Sequence, residues 1–357
     1  MKHELTLAHS PDSDDLVMWW PLTGMRGPDG ELVGGDLGRP AVDTGRFSFR
    51  CVGEDVEALN KRAIGCAQGE TAHRAVPPGE NVHRAVPPGE TAHGAVAPYD
   101  ITAISCHAYP HIKYVYRITS SGGSFGEGYG PKVVVREDSG ILSVDDLKSG
   151  RSVVAVPGVN TTAFLTLSLM MGEFGDSEGD TTAPTASCGT RIGAAFEFVE
   201  MPFEKVVGAV ASGKVDAGLL IHEAQLTFEA AGLRAVADVG AWWGERTGLP
   251  LSLGLNVVRR DLDVRFGSGS WEEVSQILSA SIRYAVEHKE DSRRFLLMHS
   301  EGREEWQDDE LVERYLKMYV SELTLDMGEV GQRAIRELLL RGAAAGLCPE
   351  PGAVDVV

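Results

Sequence analysis

The sequence predicts an α/β protein of two lobes with a ligand cleft between them. Short apolar runs typical of β-strands alternate with helical segments along most of the chain, which is the pattern of α/β units. After residue 270 the apolar residues recur three and four positions apart, as in amphipathic helices. The chain has 357 residues, more than the roughly 100 to 200 of one domain, which favours two domains.

The individual elements follow from the same patterns, taken in chain order. In the first part of the chain, strands are predicted over 5–8, 47–52, 100–105, 116–119 and 132–136, and helices over 14–22, 56–64 and 108–114. In the middle part, strands are predicted over 153–156, 196–200, 217–221, 235–239 and 251–259, and helices over 161–171, 203–212 and 223–231. The last part is predicted to form helices over 271–288, 292–298, 308–319 and 329–345.

Charge and composition exclude several classes of partner. Lys and Arg number 33 against 52 Asp and Glu, a net charge of −19, and no long basic stretch occurs, so neither nucleic acid nor an anionic membrane is an expected partner. The longest apolar runs fall far short of the roughly 20 residues of a transmembrane helix. The amino terminus lacks the apolar region and cleavage site of a secretory signal.

The cysteine pattern favours a reducing compartment. The five cysteines are odd in number, widely spread and without C-x-x-C spacing, so neither a disulfide framework nor a zinc site is predicted. They are Cys51, Cys66, Cys106, Cys188 and Cys348. Together with the amino terminus, this pattern leads us to expect a cytoplasmic protein.

Two segments are expected to be surface insertions. A decapeptide repeats three times over residues 69–98, as GETAHRAVPP, GENVHRAVPP and GETAHGAVAP, with too little apolar material to pack by itself. His73, His83 and His93 recur at this period and could bind a metal, but nothing predicts a geometry that holds them together, so a mobile insertion is favoured. The polar, small-residue segment 172–189 is expected to be a second excursion.

Four strand-to-helix junctions are candidates for the ligand site, because ligands of open α/β sheets bind beyond the carboxyl ends of the strands. The first junction covers residues 8–15, where Ser10, Ser13 and Asp14 are plausible helix caps. The second contains Ser105, Cys106 and His107. A hydroxyl and ring nitrogens there could orient a polar ligand or form a local cap, and nothing nearby would activate Cys106 as a nucleophile.

The third junction is a candidate anion site. Val156-Pro157-Gly158-Val159-Asn160-Thr161-Thr162 leads from a buried strand through a glycine turn into a helix. Backbone N–H groups and hydroxyls of Thr161 and Thr162 could cradle a carboxylate or phosphate, although plain capping explains the pattern equally well. The segment is not a Walker loop, because it lacks the lysine of that motif.

The fourth junction places His222 directly after an apolar strand, with Glu223 beside it. A neutral histidine in a partly desolvated cleft is suited to take a proton near neutral pH, and Glu223 could fix its tautomer. A structural role is the alternative, since most histidines at strand ends are structural.

Two glycine-rich segments have weaker interpretations. Residues 122–130 contain G-x-G-x-G, but they lie between two strands and open no helix, so an interdomain crossing is favoured over a dinucleotide site. In residues 240–250, Trp242, Trp243 and Arg246 could wall a planar ligand or simply close a core.

Eight stretches of the chain match one known family, in order and through nearly the whole chain, except for the decapeptide repeat and 172–189. They are HSPDSDDLVMWW (9–20), EDVEALN (54–60), DITAISCHAYP (100–110), GEGYGP (126–131), VAVPGVNTTAFL (154–165), LLIHEAQLTF (219–228), DVGAWWGERTGLPLSLG (238–254) and YVSELTLDMG (319–328). In these stretches the chain resembles the 1,4-dihydroxy-6-naphthoate synthase family of the futalosine route to menaquinone.

The resemblance implies a two-lobed, type II periplasmic-binding-protein-like fold with an interdomain cleft and C-terminal helices. On this basis residues 1–121 and 252–357 are expected to form lobe 1, and residues 122–251 lobe 2. The implied activity is that of a lyase without metal or cofactor, which cleaves cyclic dehypoxanthine futalosine, a small carboxylate, to 1,4-dihydroxy-6-naphthoate and dihydroxyacetone. The family's catalytic base corresponds to His222.

The resemblance also assigns substrate contacts to Thr161 and Thr162, and to the strand end at Ser105, Cys106 and His107. Two rival functions remain. A protein of this fold can be a solute-binding protein that performs no reaction, and the related chorismate dehydratase acts in the same pathway. The I-H-E and G-A-W-W stretches favour the synthase, and oligomeric state is not predicted.

Overall fold

The computed structural model describes residues 2–74, 99–148, 152–173, 191–192, 196–300 and 304–357. The described residues form two six-stranded mixed sheets with helices packed against them. The predicted α/β class is thereby confirmed. Most of the decapeptide repeat and of the segment 172–189, including His83, His93 and Cys188, lies outside the described residues.

The first sheet combines strands from the first third of the chain with one long strand that returns much later. In spatial order the sheet runs β2-β1-β3-β12-β4, and β5 also pairs with β12. The strands are β1 (His3–His9), β2 (Phe47–Gly53), β3 (Ile101–Ser105), β4 (Tyr116–Ile118), β5 (Ser124–Gly126) and β12 (Leu251–Arg259). β1 is parallel to β2 and β3, so their carboxyl ends meet at one edge, whereas β12 is antiparallel to its neighbours.

The second sheet is built from the middle of the chain, in the order β11-β6-β10-β7-β9-β8. Its strands are β6 (Lys132–Arg136), β7 (Val153–Val156), β8 (Arg191–Ile192), β9 (Phe196–Glu200), β10 (Ala217–Leu220) and β11 (Leu233–Asp238). β7 is parallel to β9 and β10, which brings the chain following β7 and β10 to the same edge. The division of the lobes at residues 121 and 252 stays a prediction; β5 and Leu251 pair within the first sheet.

The helices cover the sheets and complete the first lobe. In the first two thirds of the chain they are α1 (Ser13–Val17), α2 (Trp20–Thr23), α3 (Val56–Arg74), α4 (Tyr109–Ile112), α5 (Val144–Lys148), α6 (Thr162–Glu173), α7 (Phe203–Ala211), α8 (Ala224–Thr227) and α9 (Val239–Thr247). In the last third they are α10 (Leu262–Phe266), α11 (Ser270–Glu287), α12 (Lys289–Met298), α13 (Asp309–Tyr319), α14 (Glu322–Leu325) and α15 (Gly328–Ala344). None of the described helices is long and apolar enough to cross a membrane.

Three details of the predicted elements are wrong. The expected single helix over 14–22 is two short helices, α1 and α2, with Pro21 in the first turn of the second, where its missing N–H is tolerated. α3 continues to Arg74, so the start of the decapeptide repeat is helical rather than an extended loop. Residues 239–247, treated as a glycine-rich segment, form α9, whose amino terminus is capped by Asp238.

The largest hydrophobic core joins the two sheets through helices. It includes strand residues of both sheets and the buried faces of α6, α9 and α15. Trp243 is fully buried there, and the guanidinium of Arg341 lies over its ring, 5.4 Å from the centroid. Trp242 and Trp243 therefore close a core instead of forming a ligand wall.

The end of the chain is held by ion pairs. Asp355 pairs with Arg117 at 2.9 Å and with Arg260 at 2.5 Å.

Gly240 allows the link between the sheets to pack against α9. A Cβ at this position would stand 2.1 Å from the carbonyl oxygen of Tyr129, which belongs to the backbone and cannot move away cheaply. We expect Gly240→Ala to lower the free energy of unfolding by roughly 1 to 3 kcal/mol, measured by urea denaturation. Gly244→Ala in the same helix is the control, since its Cβ would meet only Gly128 at 3.9 Å. Equal stability of the two variants would contradict this packing.

Candidate active site

All four predicted junctions contribute to one cavity between the sheets. It contains about 730 Å³ of empty space, part of it open to solvent. From the junctions after β1, β3, β7 and β10 come the side chains of Ser10, Asp12, Asp14, Asp15, Ser105, Thr161, Thr162 and His222. The parallel strands of each sheet explain this convergence, because their carboxyl ends meet at one edge.

His222 sits in a strained backbone conformation where the chain leaves β10. Its φ is 55°, the single positive φ of a residue other than glycine in the described part of the chain. Left-handed backbone costs an ordinary residue roughly 1 to 2 kcal/mol, so the surroundings must hold the residue in place. The ring packs edge-on against Phe203 with centroids 4.7 Å apart.

The imidazole of His222 pairs with Asp12 across the cleft. Nδ1 lies 2.5 Å from Oδ2 of Asp12, and the two side chains are 13% and 7% exposed. Asp12 thus fixes the ring, and the expectation that Glu223 does so is wrong. Glu223 instead accepts hydrogen bonds from Ser13 Oγ and from Trp306 Nε1, each at 3.0 Å. Both contacts join lobe 2 to elements of lobe 1.

The charge state of His222 also differs from the expected neutral ring. Burial opposes a charge on the imidazole, but Asp12, with Glu223 and Asp14 nearby, outweighs it and raises the pKa of His222 to about 9. Despite burial, the imidazolium lowers the pKa of Asp12 below its ordinary value. At neutral pH the resting pair is therefore an imidazolium and a carboxylate.

Two further carboxyl groups lie beside this pair. Burial, reinforced by the charge of Asp12, raises the pKa of Asp15 to about 8 and that of Asp14 well above its ordinary range. Asp15 accepts hydrogen bonds from the Ser10 N–H at 2.6 Å and from Trp19 Nε1 at 3.3 Å. Asp14 Oδ1 lies 3.1 Å from the Tyr315 hydroxyl. Asp15 therefore holds a proton at neutral pH, and the same causes favour the protonated form of Asp14.

The amino terminus of α6 forms the opposite wall. The Thr161 hydroxyl donates to Gly158 O at 2.7 Å and accepts from the Phe164 N–H at 3.2 Å, so it caps the helix. The Thr162 hydroxyl donates to Leu253 O at 2.7 Å. Both hydroxyls are therefore engaged within the protein. The predicted anion cradle would consist of the backbone N–H groups of the first helical turn, which have no carbonyl partner within a helix.

Ser105 is held at the cleft by a buried asparagine of α3. Asn60 Oδ1 accepts from the Ser105 N–H at 2.9 Å, and Asn60 Nδ2 donates to Ser105 Oγ at 3.1 Å and to Asn160 O at 3.3 Å. Asn160 in turn donates to Glu57 Oε1 at 2.7 Å. This network ties the strand end of the first sheet to the loop before α6.

The side chains of Cys106 and His107 do not reach the cavity. They belong to a 3-10 turn, Cys106–Ala108, that directs both into the protein interior. Burial raises the pKa of Cys106 to about 12 and lowers that of His107 to about 4, so neither is charged at neutral pH. The ring Nε2 of His107 lies 3.2 Å from Leu347 O, and the backbone N–H of His107 donates to Thr162 Oγ1 at 3.3 Å. These contacts make the position of His107 structural.

Several residues of the site were not singled out from the sequence. Asp12 was treated only as part of a helix-start pattern. Tyr315 lies on a predicted helix whose spacing indicated packing alone, Asn60 lies on the predicted helix 56–64, and Trp306 lies outside the predicted helices. A buried polar side chain on an otherwise apolar helix face was the available signal. Within the described residues, no group of three or more His, Cys, Asp or Glu side chains is placed to hold a metal ion.

Comparisons with known proteins show the family of this chain. A sequence profile described as menaquinone biosynthesis matches residues 92–344. The 1,4-dihydroxy-6-naphthoate synthase of Streptomyces coelicolor is 36% identical over 253 residues, which are 71% of this chain and 79% of that protein. The chain belongs to the menaquinone biosynthesis family. The synthase of Thermus thermophilus is 35% identical over 252 residues, 70% of this chain and 79% of that protein.

Solved structures confirm the predicted two-lobed, periplasmic-binding-protein-like fold. A crystal structure of a protein from Archaeoglobus fulgidus has a TM-score of 0.68 and 33% identity, covering 97% of this chain and 98% of that one. The alkanesulfonate-binding protein of Xanthomonas axonopodis, bound to MOPS, has a TM-score of 0.57 and 13% identity, covering 98% and 95%. At that identity the second likeness concerns the fold alone.

Proposed function

We propose that this chain is a 1,4-dihydroxy-6-naphthoate synthase, a lyase that cleaves cyclic dehypoxanthine futalosine to 1,4-dihydroxy-6-naphthoate and dihydroxyacetone. The observation that carries the proposal is the Asp12–His222 pair in the cavity of a chain that belongs to this family. A binding protein needs no buried pair of this kind, whereas proton transfer does.

His222 is the general base in this proposal. Its Nδ1 faces Asp12, so Nε2 is the nitrogen that takes the substrate's proton. The resting imidazolium must first give up a proton, after which Asp12 stabilises the charge that returns to the ring when the substrate is deprotonated. Formation of an aromatic naphthalene supplies the driving force of the cleavage.

The aryl carboxylate of the substrate rests on the amino terminus of α6. The N–H groups of the first turn, at Thr162 and Ala163, carry the positive end of the helix dipole, and both residues line the cavity. Ser105 lines the same cavity and offers a hydroxyl to a polar part of the substrate. Closure of the lobes around the substrate keeps water from the reacting atoms.

We place the reaction in the cytoplasm. The four cysteines in the described part of the chain, Cys51, Cys66, Cys106 and Cys348, are all free thiols. Free thiols of this kind are typical of a reducing compartment. The substrate is the expected partner, and it is a small carboxylate.

Replacement of the base should stop the reaction without disrupting binding. We expect His222→Gln to lower kcat by about 100- to 10,000-fold, the usual contribution of a general base. The measurement is liquid chromatography of the naphthoate formed from cyclic dehypoxanthine futalosine. Product binding, followed by tryptophan fluorescence, and the melting temperature are the controls. A variant with near-normal kcat would reject the role of His222, and wild-type protein that forms no naphthoate would reject the proposed function.

The pH dependence of the wild type should report the charge of His222. A base acts only after losing its proton, so kcat/KM should rise with pH through an apparent pKa near 9 instead of the ordinary 6.5. Asp12→Asn removes the carboxylate that stabilises the imidazolium, so the rising limb should move to lower pH. Initial rates between pH 5 and 10 would locate the rising limb of kcat/KM in both proteins. A rising limb at the same pH in Asp12→Asn and wild type would contradict the pairing of Asp12 with His222.

A further inference from the structure

A cleavage that divides one substrate into two products with nothing added must return every proton that it removes. This inference rests on the proposed function. In the proposed reaction, the base takes a hydroxyl proton, the carbon–carbon bond breaks, and its electron pair passes to the three-carbon fragment as an enediolate. That fragment becomes dihydroxyacetone only when a carbon atom receives a proton. The site therefore needs an acid as well as a base.

Asp14 is placed for this second role. Its side chain lines the same cavity as His222 and is buried, with 6% of the residue exposed. It belongs to α1 in the first lobe, whereas His222 follows β10 of the second sheet. The two groups therefore approach the cavity from opposite lobes, as an acid and a base on either side of a breaking bond must.

The surroundings favour the protonated form of Asp14. Burial is the main cause of its raised pKa, and neighbouring carboxylates add to it, while the imidazolium of His222 opposes them. The titratable groups that face Asp14 come from α1, from the turn after β10, from α13 and from the link before β6. They are Asp12, Asp15, His222, Glu223, Tyr315 and Tyr129.

We propose that Asp14 is the general acid that protonates the departing three-carbon fragment. His222 takes the hydroxyl proton as the carbon–oxygen double bond forms and the carbon–carbon bond breaks. Asp14 then gives its proton to the enediolate carbon and becomes a carboxylate. The proton gained by His222 passes back to Asp14, directly or through solvent, which restores both groups and leaves no net change in protons.

Tyr315 is a positioning residue for Asp14. It is 1% exposed, lines the cavity, and its hydroxyl lies 3.1 Å from Asp14 Oδ1. Asp15 is less suited to proton transfer, because both of its oxygens already accept hydrogen bonds, from the Ser10 N–H and from Trp19. The geometry thus distinguishes the two neighbouring carboxyl groups.

The test compares wild type, Asp14→Asn and His222→Gln with cyclic dehypoxanthine futalosine and identifies the three-carbon product by chromatography. An enediolate that leaves the site before it is protonated takes its proton from water at either of two carbons, and so gives glyceraldehyde as well as dihydroxyacetone. Asp14→Asn keeps the acceptor for Tyr315 but has no acidic proton. We expect its kcat to fall about 100- to 10,000-fold. The turnover that remains should yield glyceraldehyde beside dihydroxyacetone, whereas wild type and His222→Gln should yield dihydroxyacetone alone.

The pH profile gives a second readout. The wild-type rate should fall at high pH as Asp14 loses its proton, and this falling limb should be absent from Asp14→Asn. An Asp14→Asn variant with kcat within threefold of wild type would overturn the proposal. So would a loss of activity with dihydroxyacetone as the sole three-carbon product and with the falling limb retained. Wild-type protein that forms no naphthoate would instead overturn the proposed function and, with it, this inference.

Tyr315→Phe keeps the proposal testable if Asp14→Asn does not fold. The Tyr315 hydroxyl donates to Asp14 and favours its carboxylate form, so its removal should shift the falling limb to higher pH. We expect kcat to fall about tenfold while KM stays within twofold of wild type. A Tyr315→Phe profile whose falling limb coincides with that of wild type would contradict the proposal.

Discussion

The hydrogen-bonded ion pair between Asp12 and His222 is the contact on which the rest of the site depends. It joins the turn after β1 in the first sheet to the turn after β10 in the second. It determines the charge of the imidazole, engages Nδ1 so that Nε2 is the nitrogen used in the proposed reaction, and helps to hold His222 in left-handed backbone. An ion pair buried to this extent is costly to separate, because each partner would be left as an uncompensated charge.

A second set of contacts keeps the two lobes in register around that pair. Glu223 is held by Ser13 and Trp306, and Asn60 links Ser105 to the loop before α6. On the rim, Lys61 of α3 pairs with Glu200 at the end of β9. Because these contacts connect segments beside the first sheet to segments beside the second, they hold the two halves of the candidate site together.

The sequence predicted the fold and the position of the site better than its electrostatics. Alternating strands and helices located nearly every strand, and the rule for strand ends brought His222, Ser105 and the two threonines to one cleft. The sequence could not predict that Asp12 pairs with His222, since the two residues are far apart in the chain and come together only through the arrangement of two sheets. Cys106 and His107 were misplaced because a 3-10 turn, invisible to periodicity, rotates them into the interior.

The most direct test of this account is the protonation of His222 in the intact protein. Nuclear magnetic resonance of histidine labelled with ¹⁵N, with His222 assigned by comparison with His222→Gln, would follow both ring nitrogens through a pH titration. The account predicts an imidazolium at pH 7 that titrates near 9, with Nδ1 keeping its proton toward Asp12 above that pH. A ring that is neutral at pH 7 and titrates at or below 6.5 would contradict it.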